Sequence, residues 1–240
     1  MHFTSEQLLD GGVLEREFSI EGIPGILWTP SSAPAPLILM GHPGNLGKMR
    51  HRLRGRAIQS GTAGLASVSI ELPGGGDRPS IPELEQARAD LHNAIEEGRP
   101  VGEIVDRLVV PLIEKAVPEW QTTLDAVLEL PEICGPVALS GGPIGIGIRL
   151  ARVEPRLVAA GLFAGSYVPH AMVEEAREVT IPLHVLLQWD DEGNDRQLAF
   201  DLFDAFGSSE KTLQANLGGH TGIPAFAGED AARFFARHLN

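Results

Sequence analysis

The stretch Pro136-Val137-Ala138-Leu139-Ser140-Gly141-Gly142-Pro143-Ile144 decides the fold. Pro136 to Leu139 is a short apolar run of strand character, two glycines follow Ser140, and Ile144 to Ala151 continues with helical composition. A hydroxyl therefore stands at the apex of a strand, a sharp turn and a helix, which is how a nucleophile is presented. So tight a turn strains the backbone at its apex and brings strand and helix close together, so its flanks must be small. Ala138, Gly141 and Gly142 meet that demand, although the alanine leaves the match to G-x-S-x-G one residue short.

Working outward, the chemistry needs an acid and a base, in that chain order after the serine. Ile181 to Gln188 reads as a buried strand, and Trp189-Asp190-Asp191-Glu192 follows where the chain leaves a sheet. Lys211 to Asn216 reads as another strand and opens into Leu217-Gly218-Gly219-His220-Thr221-Gly222, a glycine-flanked loop with one histidine. Loops at the carboxyl ends of parallel strands converge, so a hydroxyl, a carboxylate and an imidazole on three of them can meet.

The rest of the chain alternates strands and helices, which predicts α/β architecture with a mostly parallel twisted sheet and helices on both faces. Strands are expected near 13–20, 25–29, 36–40, 65–71, 136–139, 157–163, 181–188 and 211–216, the first two as an antiparallel ribbon at one edge. After the fourth, at about 79–117, lies a helical insertion. Leu84, Ala87, Leu91 and Ile95 recur at steps of three and four, Gly98-Arg99-Pro100 ends that segment, and Pro111 should kink or break the next one. The insertion can cap the catalytic face or pack on the side of the sheet; periodicity marks a buried face without saying what buries it. A length of 240 residues suits one domain, 1–240, carrying this insertion.

Five segments together resemble the α/β-hydrolases, and more narrowly the bacterial serine esterases related to dienelactone hydrolase. They are Leu37-Ile38-Leu39-Met40-Gly41-His42-Pro43-Gly44, Glu71-Leu72-Pro73-Gly74-Gly75-Gly76-Asp77-Arg78, the Ser140 turn, Gln188-Trp189-Asp190-Asp191-Glu192, and Gly218-Gly219-His220. Two departures stand out. Dienelactone hydrolases carry cysteine where this chain has Ser140, and the usual His-Gly pair is His42-Pro43 here. The resemblance implies an α/β-hydrolase fold and a serine hydrolase that cleaves a small carboxylic ester or lactone through an acyl-enzyme. Ser140 would be nucleophile and His220 base; the family's spacing favours Asp191 as acid over Asp190, with Glu192 a weaker third. An oxyanion hole would take one backbone N–H from the residue after the nucleophile, Gly141. Its second donor would come from the His42-Pro43-Gly44 loop, where Pro43 has no N–H and Gly44 is next in line. His42 would serve as a hydrogen-bonding scaffold or line the pocket. Two alternatives remain on the same fold: carbon-carbon hydrolysis or a biosynthetic cyclase or dehydratase step, and a non-catalytic ligand-binding or interaction module.

Composition excludes other classes. With 19 basic against 32 acidic residues and a formal net charge of -13, nucleic acid and anionic membrane surfaces are poor partners; a small neutral molecule is a better one. The basic run Lys48, Arg50, Arg52, Arg54 and Arg56 spreads around a helix and reads as a solvated face. A single cysteine, Cys134, precludes an internal disulfide and reads as a small buried residue. Neither a leader-like N-terminus nor a membrane-length apolar stretch is visible, so a soluble, cytoplasmic protein is expected, with a homodimer compatible. No histidine pair has zinc-site spacing, so neither metal nor cofactor is expected. Gly142 to Gly147 resembles a dinucleotide loop, but too many strands precede it; close helix–sheet packing explains its glycines better. Ser166 lacks a strand–turn–helix setting and competes poorly with Ser140.

Overall fold

The structure, a computed structural model, describes residues 1–164, 168–191, 195–220 and 222–239. Its strands are β1 (His2–Leu8), β2 (Leu14–Ile20), β3 (Ile23–Thr29), β4 (Ala35–Gly41), β5 (Ala66–Ile70), β6 (Ile133–Gly141), β7 (Leu157–Phe163), β8 (Leu183–Gln188) and β9 (Lys211–Asn216). They form one sheet in the order β1-β2-β3-β5-β4-β6-β7-β8-β9. From β5 to β9 every pairing is parallel, and β1, β2 and β3 form an antiparallel ribbon on the β5 edge. The expected α/β sheet is present.

β1 is an addition to the sequence reading. Six of its seven residues are exposed, so it has no buried face to give its sequence an alternating pattern. It is held by pairing to β2 and by Arg16 of β2 lying over the Phe3 ring at 4.2 Å.

Among the described residues, the α-helices beside the sheet are α1 (Leu46–Thr62), α2 (Pro82–Glu96), α3 (Gly102–Leu128), α4 (Ile144–Val153), α5 (His170–Ala176), α6 (Arg196–Ala205) and α7 (Ala225–Leu239). Strand alternation divides the core between the two faces. Val137 and Leu139 of β6 join the large cluster that includes Leu124 of α3, Ile148 of α4 and Leu202 of α6. Ala138 points the other way, to Phe234 and Phe235 of α7, while Leu53 and Ala57 of α1 pack with Trp28 and Met40.

The segment expected as an insertion, at about 79–117, takes in α2 and the first half of α3. Leu84 and Ala87 of α2, and Val105, Leu112, Ile113, Val117 and Trp120 of α3, are buried. Ile113 reaches Gly145 of α4, where a Cβ would lie 2.6 Å from its Cδ1, and Arg78 binds Glu119 through two N–H···O contacts of 2.7 and 2.5 Å. The first ties α3 to α4 and the second ties it to the segment after β5. Of the kink or break expected at Pro111, the break is corrected: α3 is continuous through both Pro111 and Pro118. A proline forfeits one hydrogen bond of the helix ladder, and the nine buried side chains of α3 outweigh that loss.

Candidate active site

The loop after β4 is fixed from both ends. His42 is buried and its Nε2 lies 2.9 Å from the Ile70 carbonyl at the end of β5, so that nitrogen carries the proton. Burial holds the imidazole below its ordinary pKa, which keeps it neutral. Glu71 spans the gap to α1, accepting the N–H of Leu46 at 2.8 Å and of Leu72 at 3.0 Å. Asn45 caps α1 by accepting the Lys48 N–H at 2.8 Å. Gly44 lies in this braced loop, and a Cβ there would meet nothing within 4 Å. His42 also lines a small apolar cavity with Leu72, Trp120, Leu139 and Gly142.

The turn after β6 differs from expectation by one or two residues. Left-handed backbone falls on Gly141 (φ 74°) and Gly142 (φ 87°), and α4 begins at Ile144 after Pro143. Ser140 itself lies inside the strand, one residue before its end, opposite Met40 of β4 and Gly161 of β7. Two successive glycines adopt positive φ without the Cβ penalty a serine would bear, so the strain settles on them. The turn also lies hard against β4: a Cβ on Gly41 would come within 2.5 Å of the Gly141 carbonyl oxygen. Alternation puts the Ser140 side chain on the Ala138 face, toward α1.

Arg56 of α1 meets it there. Its Nη2 donates to Ser140 Oγ at 2.8 Å and to the Ser140 carbonyl at 3.2 Å, while Nη1 reaches the Gly41 carbonyl at 3.5 Å. Burial, with Arg52 nearby, lowers the guanidinium pKa to about 10, so it stays charged at neutral pH. This contact corrects the reading of the basic run as a wholly solvated face. Arg50 and Arg54 also turn inward, each binding Glu15 at 2.6 Å, and Trp28 Nε1 donates to the same carboxylate at 2.7 Å. Residue 56 is three positions after buried Leu53, so helical period was the signal that could have found it.

At the far side, the loops after β8 and β9 are zipped together. Trp189 N–H donates to the Asn216 carbonyl at 2.7 Å, Asp190 N–H to that of Gly218 at 3.2 Å, and Gln188 Nε2 to that of Gly219 at 3.1 Å. These bonds divide the two neighbouring carboxylates. Asp190 Oδ2 accepts the Gly218 N–H at 3.0 Å, whereas buried Asp191 places Oδ2 2.7 Å from Nδ1 of His220. The Phe163 ring meets the imidazole edge-on, centroids 5.4 Å apart at 82°. The histidine side chain is 54% exposed.

The structure thus joins Asp191 to His220 and Ser140 to Arg56; among the described residues no hydrogen bond joins Ser140 to His220. Phe163 lies two residues beyond Gly161, the ladder partner of Ser140, so the ring that supports His220 stems from about 7 Å nearer the carboxyl edge. Glu192 and Ser166 lie outside the described residues. Among those that are described, no cluster of three or more His, Cys, Asp or Glu is placed to hold a metal, and no helix is long and apolar enough to cross a membrane. Cys134 is free and half-buried on β6.

No protein-family model and no curated protein matches the chain. Solved structures do. A PEG-bound complex of a cold-adapted esterase from an Arctic intertidal metagenomic library superposes with a TM-score of 0.78 at 24% identity, covering 100% of both chains. Acetyl xylan esterase 1 from Thermoanaerobacterium gives 0.64 at 14% identity, covering 98% of this chain and 86% of that one. A CIB-like hydrolase from Thermoplasma acidophilum gives 0.62 at 13%, covering 94% and 98%. The chain has the α/β-hydrolase fold.

Proposed function

We propose that the chain hydrolyses a small, neutral carboxylic ester or lactone at the carboxyl edge of its sheet, with His220 and Asp191 as the working pair. The observation that carries this reading is the 2.7 Å contact between Nδ1 of the half-exposed His220 and the buried Asp191. A carboxylate there fixes the tautomer, leaves Nε2 free to accept a proton, and stabilises the imidazolium that results. Similarity to solved esterases supports the reaction class.

In the acyl-enzyme form of the reaction, the Ser140 hydroxyl gives its proton to His220 Nε2 as Oγ bonds to the ester carbon. The carbonyl π pair moves to oxygen, where the Gly141 and Gly44 N–H groups hold it. The ester C–O bond then breaks, the leaving alkoxide takes the proton from His220, and water repeats the sequence to release the acid. For this, the serine and imidazole must close the gap between them by movement of the Gly141-Gly142 turn or the His220 loop.

A second reading is favoured by the Arg56–Ser140 contact and by the glycines at the turn. There Ser140 is a strut, and His220 with Asp191 activates a water molecule directly, without an acyl-enzyme. A panel of short-chain aryl esters and lactones, assayed with Ser140→Ala and His220→Ala, separates the two. Loss of turnover in both variants supports acylation of Ser140, and loss in His220→Ala alone supports attack by water. No turnover by the folded wild-type protein on any member of the panel would count against ester hydrolysis.

A further inference from the structure

We infer that Pro143, not Ser140, stands where this turn would present a nucleophile, and that His220, held by Asp191, therefore works on a water molecule with no acyl-enzyme at the turn. This rests on the water-attack reading above and deepens it by naming the residue that takes the nucleophile's place.

The spacing of small residues fits position 143. In a G-x-S-x-G turn the nucleophile sits between strand and helix with a glycine two residues to each side. Gly141 and Gly145 flank Pro143 in this way, whereas Ala138 and Gly142 flank Ser140. Both outer glycines are needed here: Gly141 is at φ 74°, and a Cβ on Gly145 would lie 2.6 Å from Ile113 Cδ1. Pro143 is also the N-cap of α4, its carbonyl accepting the N–H of Ile146 at 3.0 Å and of Gly147 at 3.2 Å.

Height along the sheet agrees. β6 ends at Gly141, so Gly142 and Pro143 are the residues beyond its carboxyl end. Ser140 lies inside, in register with Gly161, while Phe163, two residues further along β7, meets the His220 ring at 5.4 Å. Pro143 lines, with His42, Leu72, Trp120 and Gly142, the apolar cavity between this turn and the loop after β4. Ser140 is not among the lining residues, and its Oγ accepts from Arg56 of α1 at 2.8 Å.

A pyrrolidine ring has neither hydroxyl nor thiol, so no covalent intermediate forms at this apex. Its φ of -60° is the value the ring imposes, because the two glycines before it absorb the left-handed backbone. Water then gives a proton to His220 Nε2 as its oxygen bonds to the ester carbon and the carbonyl π pair moves to oxygen. That pair returns as the ester C–O bond breaks, and the leaving alkoxide takes the proton from Nε2. One ester and one water are consumed, acid and alcohol are released, and His220 ends neutral.

The test treats wild type, Pro143→Ser and Pro143→Ser/His220→Ala with a fluorophosphonate probe, reads adducts by mass spectrometry with fragmentation, and uses thermal melting to establish folding. Serine is favoured at an N-cap, and the φ and ψ of -60° and 124° suit any residue, so Pro143→Ser should fold. Wild type is expected to take up no probe. Pro143→Ser is expected to gain one adduct per chain, at position 143, and to lose it when His220 is also replaced. A folded Pro143→Ser protein that stays unlabelled, or that labels equally without His220, would overturn the inference. So would an adduct on Ser140 of the wild-type protein, a measurement that needs no substitution. Should Pro143→Ser label while wild type turns over no ester or lactone of the panel, Pro143 keeps its place at the apex and the ester-hydrolysis reading fails.

Discussion

His220 Nδ1 and Asp191 Oδ2 lie 2.7 Å apart, the carboxylate buried and the imidazole half in solvent. The neighbouring Asp190 is turned aside by the Gly218 N–H, which donates to it at 3.0 Å. One residue of sequence thus separates a carboxylate aimed at His220 from one that closes a loop.

Asp191→Asn should lower kcat on an aryl ester by about ten-thousandfold, because the amide no longer holds the imidazole in the tautomer with Nε2 free. Asp190→Asn should change kcat by less than about tenfold while lowering the melting temperature by a few degrees through its loop contact. Steady-state kinetics on the two variants checks both; equal losses would contradict the assignment.

Gly44→Pro removes the backbone N–H proposed as an oxyanion donor. Turnover should fall about a hundredfold to a thousandfold with the melting temperature nearly unchanged. Gly44→Ala keeps that N–H and adds a Cβ with no neighbour within 4 Å, so it should behave as wild type. Turnover unaffected in the proline variant would remove Gly44 from the site.

Acid should destabilise the fold through Glu15. Burial acts to raise its pKa, but hydrogen bonds from Arg54, Arg50 and Trp28 outweigh it and hold the pKa at about 2, against 4.5 for the free side chain. A depressed carboxylate contributes stability that is fully present above the unfolded value and is lost as pH falls through the folded one. Melting temperatures should therefore drop between about pH 4.5 and 2, and Glu15→Gln should remove part of that slope. Glu132 and Glu154 are lowered by their own arginine partners and supply part of what remains. An unchanged slope in Glu15→Gln would show that this cluster does not govern acid stability.

Much of the sheet was legible because buried parallel strands leave compact apolar runs between glycines and prolines. β7 and β9 fall on the residues expected of them, and β6 extends a few residues beyond its apolar run. The solvated edge strand β1 left no such pattern. In the site, the chain order of Asp191 and His220 was readable from their loops, whereas the facing of each side chain was not. Whether Ser140 lies inside the strand or tops the turn depends on where positive φ falls among Ser140, Gly141 and Gly142, and composition does not decide between adjacent residues. Arg56 was hidden for a related reason. A charged side chain at a helical position gives no sign of facing inward until the strand ends that receive it are in place.

Acylation of Ser140 is read out by mapping the fluorophosphonate adduct on the intact protein by mass spectrometry. For the acyl-enzyme form of the reaction, one adduct per chain is expected, located on the peptide carrying Ser140 and absent from folded Ser140→Ala and His220→Ala. A folded wild-type protein that takes up no probe, or an adduct that persists in Ser140→Ala, would contradict it.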